Sequence, residues 1–261
     1  MVALANPASY PSLAGRIAFV SGGGSGIGAF IVTRLAQQGC KVAFCDVADE
    51  ASQALVAKLA PAAVRYHRCD VRDIAALRAV LAAVEKDWGP ITVLVNNAAR
   101  DDRHALESVT PEYWDDALAV NLRHHFFAAQ AVAPGMARTS GGSIINLGSV
   151  SWMRGVAGMA AYTASKAAIN GLTRTLAREL GPQNIRVNSI VPGAIDTPRQ
   201  RQLWIGAEKE REFLAQQCLK FRLDEDDVAR GVLFLASDDA RGITGHNLLI
   251  DAGLAQTSVS S

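Results

Sequence analysis

Tyr162-Thr163-Ala164-Ser165-Lys166 sets a phenol and an ammonium four residues apart, and Ser149 stands thirteen residues before the tyrosine. Residues at i and i+4 share one face of a helix, so a lysine so placed acts on the phenol directly. A free tyrosine titrates near pH 10, and a neighbouring positive charge favours its ionised form. Bringing it to about pH 7 means stabilising the anion by roughly 4 kcal/mol, at about 1.4 kcal/mol per unit. Lys166, the Ser149 hydroxyl and a cationic ring bound alongside would share that load. The grouping is a proton-transfer device.

A second constellation is Ser21-Gly22-Gly23-Gly24-Ser25-Gly26-Ile27-Gly28, where a first strand stops and a first helix begins. Gly22, Gly26 and Gly28 allow a tight turn and a close backbone approach, and the helix start at Ser25, Gly26 and Ile27 offers amides and a positive dipole end. A dinucleotide pyrophosphate fits such a turn. Asp46 closes the second strand eighteen residues past Gly28. A carboxylate there accepts bonds from ribose hydroxyls and repels a 2′-phosphate, which favours NAD over NADP. Capping of the following helix is its competing role. No basic residue stands in the glycine turn or just after Asp46. Asp70-Val71, at the end of the third strand, brackets an adenine on this reading, with helix capping again the competing role for Asp70. Asn96 and Asn97 follow the run Val93-Leu94-Val95; amides at a buried strand end need partners and can fix neighbouring backbone and a ribose. Asn121, taken alone, reads as a surface or core amide of a helix beginning near Pro111.

These groups need a frame. Short β-branched runs are expected as strands near Arg16-Ser21, Lys41-Asp46, Val64-Cys69, Thr92-Asn96, Ser143-Leu147, Ile185-Val191 and Asn247-Ile250. Gly26-Gln38 and Asp73-Asp87 carry apolar residues at helical spacing, with Gly39 and Gly89 as stops. The alternation predicts an α/β fold of Rossmann type: one doubly wound, mostly parallel seven-stranded sheet with helices on both faces. Ligands in such folds bind at the carboxyl ends of the strands. The chain reads as a single domain over 1–261, with loosely held ends at 1–14 and 254–261 and a substrate loop at 194–220.

Composition narrows the partners. The 261 residues are 49% hydrophobic and 20% charged, with 26 basic against 25 acidic side chains. A formal charge of +1 gives no electrostatic case for nucleic acid or an anionic membrane, and a small molecule is expected. Cys40, Cys45, Cys69 and Cys218 show no CxxC spacing and read as free thiols in a reducing, cytoplasmic setting. Met1 to Gly15 has no basic segment followed by an apolar core, and the run Ile17 to Thr33 is too interrupted by glycine for a membrane span. His124 and His125, being adjacent, cannot share a metal from one helix face, and no metal is expected.

Together, Gly22, Gly26 and Gly28 in the spacing GxxxGxG, Asn96-Asn97-Ala98, Asn121, Ser149, Tyr162, Lys166 and Val191-Pro192-Gly193 resemble the short-chain dehydrogenase/reductases over about Arg16 to Gly253. Ala99 departs from the family's more usual glycine. The resemblance implies Tyr162 as general acid/base, Lys166 lowering its pKa and binding the nicotinamide ribose, Ser149 holding the reacting oxygen, and Asn121 supporting a water that passes protons. It places Ile195 and Thr197 at the carboxamide end of the nicotinamide. It also implies a homotetramer joined through long helices at 111–136 and 160–180.

A narrower similarity is carried by Asp101-Asp102-Arg103-His104, Tyr113-Trp114-Asp115, Asn121-Leu122-Arg123-His124, Ser151-Trp152, Gln216-Gln217-Cys218-Leu219-Lys220, Thr244-Gly245-His246 and Tyr10-Pro11-Ser12-Leu13. These resemble bacterial NAD-dependent aldose 1-dehydrogenases. Sugar recognition needs polar groups converging on hydroxyls and an aromatic surface for the C–H face, and Asp102, Arg103, Ser151, Trp152, Gln200 and Trp204 are the candidates. Alcohol or hydroxysteroid dehydrogenases and ketoacyl reductases of the same family are the alternatives, and an NAD-binding regulator without turnover is the alternative from another class. Asp196, Arg199, Gln200, Arg201 and Gln202 make the loop polar, which favours a polar substrate over a steroid.

Overall fold

Apolar residues at alternate positions of a strand face opposite sides of a sheet, and here both sides are covered. Ala18 and Val20 of β1 (Ile17–Ser21) enter one core while Phe19 enters the other. The computed structural model describes residues 8–203 and 207–255. They form one seven-stranded parallel sheet in the order β3-β2-β1-β4-β5-β6-β7, with β2 (Lys41–Asp46), β3 (Val64–Arg68), β4 (Val93–Asn96), β5 (Gly142–Leu147), β6 (Ile185–Pro192) and β7 (Asn247–Ile250). Arg16, Cys69 and Thr92, expected within strands, fall just outside them.

On one face α1 (Gly26–Gln37) supplies Ile31, Val32 and Leu35, and α9 (Glu225–Ala236) supplies Val228, Val232 and Leu233. On the other, α3 (Ile74–Trp88) supplies Leu77, Leu81 and Val84, and α5 (His124–Arg138) supplies Ala128, Val132 and Met136. Asp73 caps α3 by accepting from the Ala76 amide, and Gly89 ends it at φ +104°. Residues Asp49–Leu59 form α2 and Ala160–Leu180 form α6. Chain order reverses at β1, which pairs with β2 on one side and β4 on the other, so a crevice opens at its carboxyl end.

Three expectations are corrected. The helix over 111–136 is divided into α4 (Pro111–Leu118), a π-helical turn Ala119–Arg123, and α5, because Asn121 turns inward to bond the Arg100 backbone. The 194–220 segment is not an open loop: it carries α7 (Pro198–Leu203) and α8 (Ala207–Gln216), α7 starting at Pro198 with the Thr197 hydroxyl accepting from the Gln200 amide. The inner parts of both ends pack: Leu13 is buried in the main core, and Leu254 joins Val150 and Val191 in a small apolar cluster. Cys40, Cys45 and Cys69 are buried free thiols, whereas Cys218 is exposed. Among the described residues no helix is long and apolar enough to cross a membrane.

Candidate active site

A cleft of about 990 Å³ runs across the carboxyl ends of the central strands. One end is the glycine turn. Gly22, at φ +67°, has no room for a side chain, since a Cβ would lie 2.8 Å from the Ala98 Cα, and a Cβ on Gly28 would meet the Gly22 carbonyl oxygen at 1.9 Å. Gly26, at φ +50°, has open space before it. Ser25 is exposed and its side chain is not spent on capping α1, which leaves the first-turn amides open to an anion. These features fit a dinucleotide phosphate. The Asn97 amide donates to the carbonyls of Ser21 (3.1 Å) and Gly22 (2.8 Å) and so holds the turn from β4.

Asp46 lines the same end. Its carboxylate accepts from the amides of Gly24 (2.8 Å), Val47 (2.8 Å) and Ala48 (3.0 Å), so it does cap local backbone. Two arginines remote in sequence also reach this wall, a feature the sequence reading missed. Arg68 is paired with Asp49, and Arg72 with Asp70 and Asp116. Arg72 hydrogen bonds hold the Asp70 carboxyl below its ordinary 3.8. Asp70 thus lines the cleft with Val71 but is committed to Arg72, while Asp73 does the helix capping.

The other end collects the reactive groups. α6 presents Tyr162 and Lys166 one turn apart, and the segment after β5 brings Ser149 beside the phenol. The Ser149 oxygen also accepts from the Ser151 amide at 3.1 Å. Lys166 is 2% exposed, donates to the Leu147 carbonyl at 2.7 Å, and lies 5.5 Å from the centre of the Tyr162 ring. Burial pushes the phenol up to about 12, against the Ser149 hydrogen bond, and burial pulls the lysine down to about 7. At both groups desolvation outweighs the favourable neighbours, Ser149 at Tyr162 and Asp101 at Lys166.

Behind Lys166, α5 brings the fully buried His124 and His125. Burial, with the nearby Lys166 charge, takes His124 down to about 3 and His125 well below its usual range. His124 Nε2 lies 3.3 Å from the Ser21 hydroxyl, whose oxygen accepts from the amides of Asn97 (3.0 Å) and Ala98 (3.2 Å). Ser21 thereby ties the ends of β1 and β4 together, while His125 Nδ1 lies 3.2 Å from Asn146 Oδ1 of β5. Asn121 accepts from the Arg100 amide (2.8 Å) and donates to the Arg100 carbonyl (3.1 Å), so its side chain fixes the loop after β4. Ile195 is buried and pairs with Leu223 as an isolated β-bridge; it and Thr197 line the cleft.

The expected sugar-binding residues divide. Ser151, Gln200 and Arg103 line the cleft, and the buried Ser151 hydroxyl has no partner among the described residues. Asp102 and Trp152 are not part of the lining: Asp102 turns to Arg100 and Arg199, and its neighbour Asp101 faces the cleft instead. Alternation of side chains along an extended loop is the signal that separates adjacent residues, and the run of charges hid it. Trp204 lies outside the described residues. Phe213 of α8 is an aromatic in the wall that sequence reasoning did not single out.

The family model described as enoyl-(acyl carrier protein) reductase matches residues 22–255. The chain is 51% identical over 248 residues to D-xylose 1-dehydrogenase of Caulobacter vibrioides, spanning 94% of this chain and 98% of that one. It is 48% identical over 248 residues to the probable galactose dehydrogenase GalD of Rhizobium meliloti, spanning 94% and 97%. The solved structure of the ligand-free aldohexose dehydrogenase of Thermoplasma acidophilum superposes with a TM-score of 0.87 at 30% identity, covering 97% of this chain and 99% of that one. A glycine turn at the switch point, a Ser149–Tyr162–Lys166 cluster at the far end of one cleft, and similarity along nearly the whole length lead to one assignment: the chain belongs to the short-chain dehydrogenase/reductase family.

Proposed function

We propose that the protein oxidises an aldose at C1 to the sugar lactone, with NAD as hydride acceptor and Tyr162 as the base. The observation that carries this reading is one cleft holding the glycine turn at one end and Ser149, Tyr162 and Lys166 at the other, in a chain 51% identical to a D-xylose 1-dehydrogenase. The bound dinucleotide supplies the redox chemistry, and the protein supplies orientation and the base. Gly22, Ser25, Gly26, Ile27 and Gly28 hold its phosphates. Asp46 takes the adenosine ribose, Val71 and the Asp70 backbone flank the adenine, and Asn97, Ile195 and Thr197 border the nicotinamide half. Ser149 holds the anomeric oxygen beside the phenol, ionised Tyr162 takes its proton, and Lys166 stabilises the phenolate. Ser151 and Gln200 receive ring hydroxyls. Asn121 keeps the loop after β4 in place.

The pH dependence has a definite sign. The base form is the phenolate, and burial favours the neutral phenol, so turnover rises as pH rises. The polar mouth formed by Arg199 and Gln200 favours a sugar over a steroid. In the same reading the chain acts as a single domain in a soluble, cytoplasmic homotetramer.

The test is NADH formation with D-xylose, L-arabinose, D-galactose, L-fucose and L-rhamnose, each with NAD and NADP. Turnover with at least one aldose and NAD is expected, falling about 10²–10⁴-fold in Tyr162→Phe at unchanged thermal stability. Activity confined to alcohols or steroids would reject the substrate, and no turnover with any of them would favour a regulator. Near-normal turnover of Tyr162→Phe would reject the base.

A further inference from the structure

Two arginines of the cleft wall come from separate strand ends. Arg72 stands beside Asp70 after β3, and Arg100 stands on the loop after β4 that continues into Asp101 and Arg103. Asp116 of α4 is not part of that wall, yet each of its oxygens takes one of them. Arg72 Nη1 donates to Oδ1 at 2.7 Å, and Arg100 Nη2 donates to Oδ2 at 2.8 Å. The π-helical turn after α4 grips the same two residues by their backbone. Arg123 Nη2 donates to the Arg72 carbonyl at 2.9 Å, while Asn121 accepts from the Arg100 amide at 2.8 Å and donates to its carbonyl at 3.1 Å. On its far side Arg72 holds Asp70 through Nε and Nη2, and Arg100 pairs with Asp102. One helical stretch therefore holds each arginine twice, once at the guanidinium and once at the backbone.

Stability does not account for this arrangement. The paired side chains Asp70, Arg72, Arg100 and Asp116 are 33–43% exposed, and ion pairs so exposed contribute little to folding. A carboxylate with one oxygen on each arginine does fix their separation, because neither guanidinium can move away without breaking its bond. Hydrogen bonds from Arg72 and then Arg100 hold the Asp116 carboxyl below its ordinary 3.8 against burial, so it carries its charge at neutral pH.

We propose that α4 and its π-helical turn couple the adenosine end of the cleft to the substrate end, with Asp116 as the positioning residue. Ordering Asp70 and Arg72 around a bound adenosine then also orders Arg100 and the loop bearing Asp101 and Arg103, and the substrate binds more tightly for it. The route bypasses the nicotinamide. The inference rests on the reading of the cleft as a site for NAD and an aldose.

ADP-ribose tests it, since it fills the adenosine end and lacks the nicotinamide ring. Calorimetric titration of the aldose that turns over fastest should show saturating ADP-ribose tightening the sugar about fivefold, at the lower end of the range for coupled sites, and the sugar tightening ADP-ribose by the same factor. Asp116→Asn keeps one acceptor oxygen and loses the charge; the factor should fall below about twofold, at unchanged melting temperature. Raising the ionic strength to about 1 M, where the screening length is about 3 Å, should weaken the factor in the parent and leave the variant as it is. No tightening by ADP-ribose in the parent, or a factor that Asp116→Asn leaves intact, overturns the inference. So does tightening by NADH but not by ADP-ribose, which places the coupling at the nicotinamide. A second readout needs no sugar: ADP-ribose should slow amide hydrogen exchange over 100–104 at least several-fold in the parent and not in Asp116→Asn. Equal exchange in the two proteins overturns the route. Turnover with no aldose would reject the substrate reading instead, and exchange alone then decides the coupling. ADP-ribose that fails to bind would reject the cofactor reading and the coupling with it.

Discussion

A lysine one turn from a tyrosine is a statement about position, and its energetic meaning depends on what surrounds the pair. Tyr162, Lys166 and Ser149 were readable because spacing fixes which residues share a helix face. The balance was not readable, because desolvation comes from the whole fold: it sends the phenol up to about 12 and the ammonium down to about 7. Asp46 shows the same division. Its place at a strand end was legible, whereas its three backbone partners and the nearby Arg68 required the fold. In the proposed reading Arg68 is already paired with Asp49, so the charge left to face an adenosine ribose is that of Asp46. Asp46→Asn keeps the shape and one acceptor oxygen but removes the charge. The ratio of kcat/KM for NADP over NAD should then rise about tenfold, equivalent to about 1.4 kcal/mol. Cofactor kinetics showing an unchanged ratio would mean that Asp46 serves only the turn.

At the scale of elements, all seven strands were located, the central ones because a strand buried on both faces announces itself as a short apolar run. It failed where a helix departs from its period. A π-helical turn at Ala119–Arg123 leaves no mark in the pattern, because its cause is the bond between Asn121 and the backbone of Arg100, 21 residues away. α7 and α8 were similarly hidden by polar composition. The packing of α1 on α9 was also out of reach, although its polar tie is specific: Arg34 donates to both oxygens of Asp226 through Nε and Nη2, and Arg230 binds it from within α9. Burial pushes the Asp226 carboxyl up, but those arginines outweigh it and hold it below 3.8. A depressed carboxyl contributes stability above its unfolded pKa and loses it as pH falls through the folded value. Asp226→Asn should therefore cost about 2–3 kcal/mol at pH 7, less than a fully buried pair because Arg34 is partly exposed. Urea unfolding should show the gap between variant and parent narrowing as pH falls below 3.8, and a gap that stays constant would assign the loss to packing.

For the whole molecule, the reversal of strand order at β1 explains why one cleft serves both halves of the chemistry. The glycine turn follows β1, the loop carrying Asp101 follows β4, Ser149 follows β5 and α7 follows β6, so four consecutive strand ends meet around a single crevice. This convergence leaves the outer faces of α4, α5 and α6 without a role in the site. On α6, Ala160, Ala164 and Ala168 are exposed at four-residue spacing, and Trp114 and Phe126 are 36% and 39% exposed on the neighbouring helices. Small residues allow helices of two copies to approach closely, and a two-fold axis would pair the same face with itself. With a formal charge of only +1, long-range repulsion between copies is weak. If the tetramer forms through this face, light scattering should give four times the 27.6 kDa of the chain. Ala168→Glu would bury a pair of like charges at the contact and should reduce the particle to dimers, with a melting temperature that depends on protein concentration. A tetramer that survives Ala168→Glu unchanged would place the interface on another surface.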